Sequence, residues 1–133
     1  MTRAGASSVL VVEDDPVIVE LVQAQLENAG FSVESAQDGQ EGMQKTFDSL
    51  PDVIVLDLSM PRVDGFEMLR QLRASRIFRD IPVLVLSARS SRQDVVAAIS
   101  LGAKDYMVKP FNGRDLVGRI RELLRPAPSA VLV

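Results

Sequence analysis

The sequence contains no cysteine and no histidine. Without cysteine there is no disulfide and no zinc–thiolate centre, and a reducing compartment suits the chain. Without histidine it lacks the commonest general base and the commonest transition-metal ligand. Any chemistry must run on carboxylates, hydroxyls, lysine and arginine. Long apolar runs are missing too: no stretch approaches the roughly 20 residues that cross a bilayer. The opening Met-Thr-Arg-Ala-Gly-Ala-Ser-Ser leads into only four apolar residues before three acids, unlike a signal peptide. A cytoplasmic location without membrane insertion is expected. Cations are scarce in one half. Residues 1–60 hold 2 basic and 11 acidic side chains, a net of −9, while residues 61–133 hold 13 and 7, a net of +6; the sum is the chain's −3. The acidic half suggests a divalent metal and the basic half an acidic partner, although most of its arginines read as solvated charge. Arg70, Arg73 and Arg76, spaced three apart, read as the wet face of one helix.

What is present is enough for one domain with a real core: 133 residues, 47% hydrophobic and 25% charged. Short apolar runs alternate with helical periods. Strands are predicted at about 8–13, 31–36, 53–57, 83–87 and 104–108, numbered β1 to β5. Helices are predicted at about 16–29, 39–50, 65–75, 91–101 and 112–125, numbered α1 to α5. Asp15 before Pro16 is an N-cap signal and Gly30 a stop, Asn112 caps the last helix, and Met43 and Phe47 stand four apart in the second. Alternating strands and helices imply a doubly wound parallel sheet. The second and fifth strands are the more polar and suit the edges, which the order 2-1-3-4-5 satisfies. Ligands of such sheets bind beyond the carboxyl ends of the strands where the order reverses, here between β1 and β3.

Four of those strand ends carry reactive groups: Glu13-Asp14-Asp15, Asp57, Ser87 and Lys109-Pro110. Asp15 reads as a cap. Glu13, Asp14 and Asp57 against Lys109 leave a formal −2, which one Mg²⁺ (or Mn²⁺) balances. Magnesium takes one or two carboxylates, waters and phosphate oxygens, which fits this inventory better than a calcium cage. A carboxylate can attack phosphorus and form an aspartyl phosphate, with a metal, a cation and a hydroxyl stabilising the transferred oxygens.

These residues resemble a known pattern. Over about residues 8–125 the chain is similar to the receiver domain of two-component response regulators. The matching segments are Val11-Val12-Glu13-Asp14-Asp15, Leu56-Asp57-Leu58-Ser59-Met60-Pro61 with Asp64-Gly65, Leu86-Ser87-Ala88, Gly102-Ala103-Lys104-Asp105-Tyr106 and Lys109-Pro110-Phe111. The resemblance implies a flavodoxin-like (βα)5 fold. It leaves 1–7 as a flexible N-terminal extension and 126–133 as a C-terminal tail or the start of a linker. It implies that Asp57 accepts phosphate from a phosphohistidine on a sensor histidine kinase or phosphotransfer protein. Asp14 and Asp57 ligate Mg²⁺, with the Ser59 backbone carbonyl, and Glu13 acts mainly through water. Lys109, Ser87 and Ala88 bind the phosphoryl group, and Ser87 and Tyr106 form a switch that alters the α4-β5-α5 surface. Ser59 and Arg89 tune hydrolysis, and Arg89 has two open roles: shielding the phosphate or attracting a partner's acid. The resemblance also implies a cis Lys109–Pro110 bond. Glu13 stands where Asp is commoner, and Ser87 lacks the methyl of the Thr also common there, so its switch is less well ordered.

Implied partners are the phosphodonor protein and an effector domain or partner protein, with a homodimer on phosphorylation and no direct nucleic-acid or membrane contact. Asp105, Asp115, Arg119 and Arg121 fit parts of the charge scheme by which the winged-helix transcription-factor subclass dimerises, whereas Val95, Ser100 and Leu101 do not. Leu101 reads instead as the mark of a partner-helix groove. The chain is either a stand-alone regulator or a receiver cut from a longer protein; Pro126-Ala-Pro resembles a linker start, and Val131-Leu132-Val133 an apolar tail that docks. Three other functions compete. A phosphohydrolase of the haloacid-dehalogenase type needs an acid two residues after its nucleophile, where Ser59 stands. A nucleotide-binding module needs glycines in the first strand-to-helix turn, which is Glu-Asp-Asp-Pro here. A degenerate receiver acting as a phosphorylation-independent interaction module is disfavoured by the complete site.

Overall fold

In the computed structural model, residues 5–60 and 64–126 are described. Pro61 of the motif after Asp57, residues 1–4 of the expected N-terminal extension and residues 127–133 of the expected tail lie outside the described residues. The described residues alternate as β1 (Ser8–Val12), α1 (Pro16–Asn28), β2 (Ser32–Ala36), α2 (Gly39–Ser49), β3 (Val53–Leu56), α3 (Gly65–Ala74), β4 (Val83–Ser87), α4 (Arg92–Ser100), β5 (Asp105–Val108) and α5 (Gly113–Leu124). The strands are parallel in the order β2-β1-β3-β4-β5, as the polarity of the edge strands implied.

Successive residues of a strand face opposite sides, and the core divides accordingly. Leu10, Val12, Ile54, Leu56, Val83 and Val85 pack with Met68, Leu69 and Leu72 of α3 and Ala98 of α4. Val9, Val11, Val53, Val55, Leu84 and Leu86 pack with Val22 and Leu26 of α1 and with Leu116, Val117 and Ile120 of α5. A buried leucine or isoleucine contributes about 1.5–3 kcal/mol, so the continuous apolar runs hold the sheet between two helical layers. The register then sets where the strands end. Val12 pairs with Ala36 and Leu56, Leu56 with Val85, and Val85 with Tyr106. The polar residues that follow β1, β3 and β5, and Ser87 that closes β4, consequently emerge along one edge.

Each helix starts on a short polar side chain that accepts from its first turn: Asp15 from Val17 N–H, Asp38 from Glu41, Asp64 from Glu67, Ser91 from Asp94, and Asn112 from Arg114 and Asp115. Such a cap contributes about 1 kcal/mol and fixes the direction in which a helix leaves the loop. Gly30 and Gly102 follow α1 and α4 with φ of 98° and 105°, conformations that suit glycine. The Lys109–Pro110 bond is cis.

Four local features differ from that reading or add to it. Phe47 is 66% exposed and meets Phe78 only edge-on, with ring centroids 6.4 Å apart. The buried side of α2 is made instead by Gly39, Gly42 and Thr46, and a Cβ at Gly42 would press on Met68 and Val12. Close approach through these small residues seats the helix, with the half-buried Met43 packing against the same core. Secondly, α3 stops at Ala74, so Arg76 belongs to the turn after it. Thirdly, Leu101 caps α4 half-buried: it packs against the core and lines a small recess with Leu69, Leu72 and Ile81. Finally, Leu50, the residue that caps α2 after Ser49, stands in the left-handed region, φ 47°, ahead of Pro51.

A left-handed conformation costs a branched L-residue about 1–2 kcal/mol, and the Leu50 side chain is 55% exposed. Leu50→Gly is expected to leave stability unchanged or raise it by about 1 kcal/mol in urea unfolding. A loss of more than about 1 kcal/mol would show that the exposed side chain packs more than its exposure implies.

Candidate functional site

The ladder continues one residue past β1 and β3. Glu13 N–H donates to the Ala36 carbonyl at 2.9 Å and Asp57 N–H to the Val12 carbonyl at 3.0 Å. These backbone bonds hold both carboxylates at the strand tips, where only 3% of Glu13 and 5% of Asp57 is exposed. Asp14, next along the chain, is exposed, yet one carboxylate oxygen from each of Glu13, Asp14 and Asp57 lies within 4.8 Å of the others. From the far side of the edge, Lys109 N–H donates to the Ser87 carbonyl at 2.9 Å. Its Nζ reaches Glu13 Oε1 at 2.5 Å and Asp57 Oδ2 at 3.6 Å. Residues distant in sequence thus share one pocket, as the strand-end pattern required.

The electrostatics of that pocket are unbalanced. Burial pushes the Glu13 carboxyl up to about 7; the Lys109 hydrogen bond and the Asp15 N–H oppose it, and the neighbouring Asp57 charge adds to it. Burial works against the charge on Lys109, but its bond to Glu13 and the charges of Asp57 and Glu13 prevail and hold its pKa above the ordinary lysine value. Lys109 therefore stays an ammonium, while Glu13 resists ionising beside Asp57. One ammonium cannot neutralise three carboxylates, and the residual formal charge with all three ionised is −2. A divalent cation would remove it. The donor set fits such an ion: hard carboxylate oxygens only, one of them on the exposed Asp14 facing solvent.

The other free valences point to the loops. Asp57 Oδ1 accepts from Ser59 N–H at 3.2 Å, and Glu13 Oε2 from Asp15 N–H at 3.2 Å. Ser87 is fully buried at the end of β4, and its Oγ accepts from Arg89 N–H at 3.2 Å. Ala88 follows it at the exposed mouth. Tyr106, on the neighbouring β5, is half-buried and donates from its hydroxyl to the Arg89 carbonyl at 2.7 Å. Burial raises the phenol's pKa, with the Ser87 hydroxyl opposing and the charges of Asp94, Arg89 and Asp57 all reaching it. Ser87, Tyr106 and Arg89 therefore form one connected group beside Asp57.

Sequence reasoning locates these residues but not their mutual contacts. Arg89 does not stand free: its Nε donates to Ser59 Oγ at 2.6 Å and its NH1 lies 3.5 Å from Asp94 Oδ1. Gly65, read only as a helix start, is needed for close approach, since a Cβ there would run into the Asp57 carbonyl and the Leu58 Cα. A glycine at the first residue of a helix is the available signal, and it is a weak one. Arg119 pairs with Asp105 at 2.9 Å and Asp115 at 3.3 Å within one chain.

Comparison with known proteins agrees with this geometry. Residues 9–121 match the family model described as the response regulator receiver domain. The chain is 43% identical over 117 residues to the DNA-binding dual master transcriptional regulator RpaA of Synechocystis, covering 88% of this chain and 48% of RpaA. It is 42% identical over 117 residues to the alkaline phosphatase synthesis transcriptional regulatory protein PhoP of Bacillus subtilis, again 88% of this chain and 48% of the relative. The chain thus spans about half the length of the curated relatives it matches. Among solved structures, the Vibrio cholerae chemotaxis protein CheY4 superposes with a TM-score of 0.85 at 32% identity, over 90% of this chain and 100% of CheY4.

The Glu13 carboxyl should titrate with a midpoint of about 7 in metal-free solution, read from its side-chain carboxyl carbon shift. Because that value lies above its ordinary 4.5, the folded chain holds the proton more tightly than the unfolded one. The contribution of Glu13 to stability is accordingly full below 4.5 and lost as pH rises through about 7. Asp57→Asn should lower the midpoint by removing a neighbouring charge. A wild-type midpoint near 4.5 would contradict the charge imbalance.

Proposed function

The chain belongs to the response regulator receiver family, a signalling rather than catalytic one, and we propose that Asp57 is the side chain on which it is phosphorylated. The observation that carries this reading is the pairing of two buried carboxylates, Glu13 and Asp57, with the single ammonium of Lys109. In the proposed reaction an oxygen of Asp57 attacks phosphorus and the bond from phosphorus to the donor nitrogen breaks. The electron pair stays on that nitrogen, a histidine of a sensor kinase or phosphotransfer protein. Mg²⁺ (or Mn²⁺), when bound, draws charge from the phosphoryl oxygens and offsets the carboxylates. Asp14, Asp57 and the Ser59 carbonyl would hold it, with Glu13 acting through water. Lys109 then exchanges its Asp57 contact for a phosphoryl oxygen, and Ser87 and Ala88 line the other side.

The group left on Asp57 changes what its neighbours bind. Ser87 turns from Arg89 N–H towards a phosphoryl oxygen, and Tyr106, tied to the Arg89 carbonyl, follows. That is the switch by which the α4-β5-α5 surface is read. The same site allows the group to be removed by hydrolysis: water attacks phosphorus, the bond from phosphorus to the Asp57 oxygen breaks, and the carboxylate and inorganic phosphate are released, with Ser59 and Arg89 setting the rate; self-phosphorylation and self-dephosphorylation are the chain's only chemistry in this reading. Because RpaA and PhoP are named as transcriptional regulators and are about twice as long as the matched region, an effector domain or partner protein is the proposed listener. Homodimerisation through this surface requires Arg119 to exchange Asp105 and Asp115 of its own chain for acids of a second copy. Residues 8–125 are the proposed receiver unit, working in the cytoplasm; among the described residues no helix is long and apolar enough to cross a membrane.

Incubated with Mg²⁺ and acetyl phosphate, the wild-type chain should gain the mass of one phosphoryl group, mapped to Asp57, and Asp57→Asn should gain none. An equal gain in Asp57→Asn would place the acceptor elsewhere, and no gain in wild type would favour a phosphorylation-independent interaction module.

A further inference from the structure

Arg89 touches four separate elements at once. Its Nε donates to Ser59 Oγ at 2.6 Å in the β3–α3 loop, and its guanidinium carbon sits 5.7 Å from the centre of the Phe66 ring on α3. Its NH1 lies 3.5 Å from Asp94 Oδ1 in the first turn of α4, and its carbonyl accepts from the Tyr106 hydroxyl on β5. Ser59 N–H in turn donates to Asp57 Oδ1 at 3.2 Å. The guanidinium is thus one side chain removed from Asp57, and parked on a carboxylate of the helix that opens the switching face.

The two ends of this arrangement differ in strength. The Arg89–Asp94 contact is long, and the two side chains are 46% and 26% exposed, so water screens it heavily. A phosphoryl group carries about −1.5 to −2 charges and three acceptor oxygens, and a planar guanidinium binds two of them at once. Asp94 offers a single charge; its backbone N–H, not its carboxylate, serves the helix cap by donating to Ser91 Oγ at 3.1 Å. Phe66 holds the guanidinium over a flat apolar surface on which it can slide without losing its stacking partner.

We propose that Arg89 is a charge relay: it holds Asp94 in the unphosphorylated chain, moves to the phosphoryl group when Asp57 is modified, and by letting go of Asp94 loosens the first turn of α4. This rests on Asp57 being the acceptor. It adds a second route from the site to the switching face, distinct from the Ser87–Tyr106 pair, because Arg89 grips α4 through its side chain and Tyr106 through its carbonyl.

Amide hydrogen exchange over residues 92–95, measured with intact mass before and after treatment with Mg²⁺ and acetyl phosphate, tests it. In wild type, phosphorylation should speed exchange of this turn several-fold. Asp94→Asn should exchange fast from the start, gain the phosphoryl mass as wild type does, and show no further change. Arg89→Gln should lose the response, and Arg89→Lys, which keeps the charge but not the planar fork, should restore only part of it. A wild-type chain that gains the mass while residues 92–95 exchange unchanged overturns the relay and leaves Asp57 as acceptor. A response in Arg89→Gln equal to wild type does the same. Absence of any mass gain overturns both.

Discussion

Everything at the strand tips depends on one ammonium placed between two buried carboxylates. Lys109 sits 2.5 Å from Glu13 and 3.6 Å from Asp57, and no second cation pairs with either acid among the described residues. Removing one partner from a buried pair costs about 3–5 kcal/mol, because the remaining charge is left in a poorly polarisable surrounding. The fold tolerates the arrangement because the sheet is rigid there: Leu56, Val12 and Val85 beneath the site are essentially inaccessible to solvent. The consequence is a pocket that is under-neutralised by construction. It attracts a cation, and with the cation in place it can accept an anionic group that would otherwise be repelled.

The same imbalance explains why the surrounding contacts are weak enough to change. Asp57 Oδ1 accepts a long 3.2 Å bond from Ser59 N–H, and Ser87 Oγ a 3.2 Å bond from Arg89 N–H. The half-exposed Arg89–Asp94 pair contributes about 0.2–1 kcal/mol at most. None of these competes with charge-assisted bonds to a phosphoryl group, each about twice as strong as a neutral one. A strongly held scaffold with loosely held loops is what a two-state surface requires.

Much of this is legible in the amino-acid order alone. The continuous apolar runs at Val9–Val12, Val53–Leu56 and Val83–Leu86 read as buried strands, and the polar second and fifth strands as edges, so the order of the sheet and the convergence of Glu13, Asp57, Ser87 and Lys109 follow. Side-chain type and strand ends carry the site. What stays hidden depends on packing at the level of single atoms. The spacing of Met43 and Phe47 marks α2 as a helix, but nothing in that spacing shows that Gly42 seats it against Met68. Gly65 hides for the same reason: its role is to have no Cβ beside Asp57. Arg89 is recognisable as a long cation near the mouth, but its partners Ser59, Phe66 and Asp94 lie 5 to 30 residues away, and only the folded loops bring them together.

The central claim is that uncompensated charge on Glu13, Asp14 and Asp57 makes this edge a divalent-cation site. Calorimetric titration of Mg²⁺ into the wild-type chain and into Asp14→Ala tests it most directly. One ion should bind per wild-type chain and none at this edge in Asp14→Ala, whose fold should be intact because the side chain is exposed. Equal affinity in the two proteins, or no binding in wild type, would contradict the account.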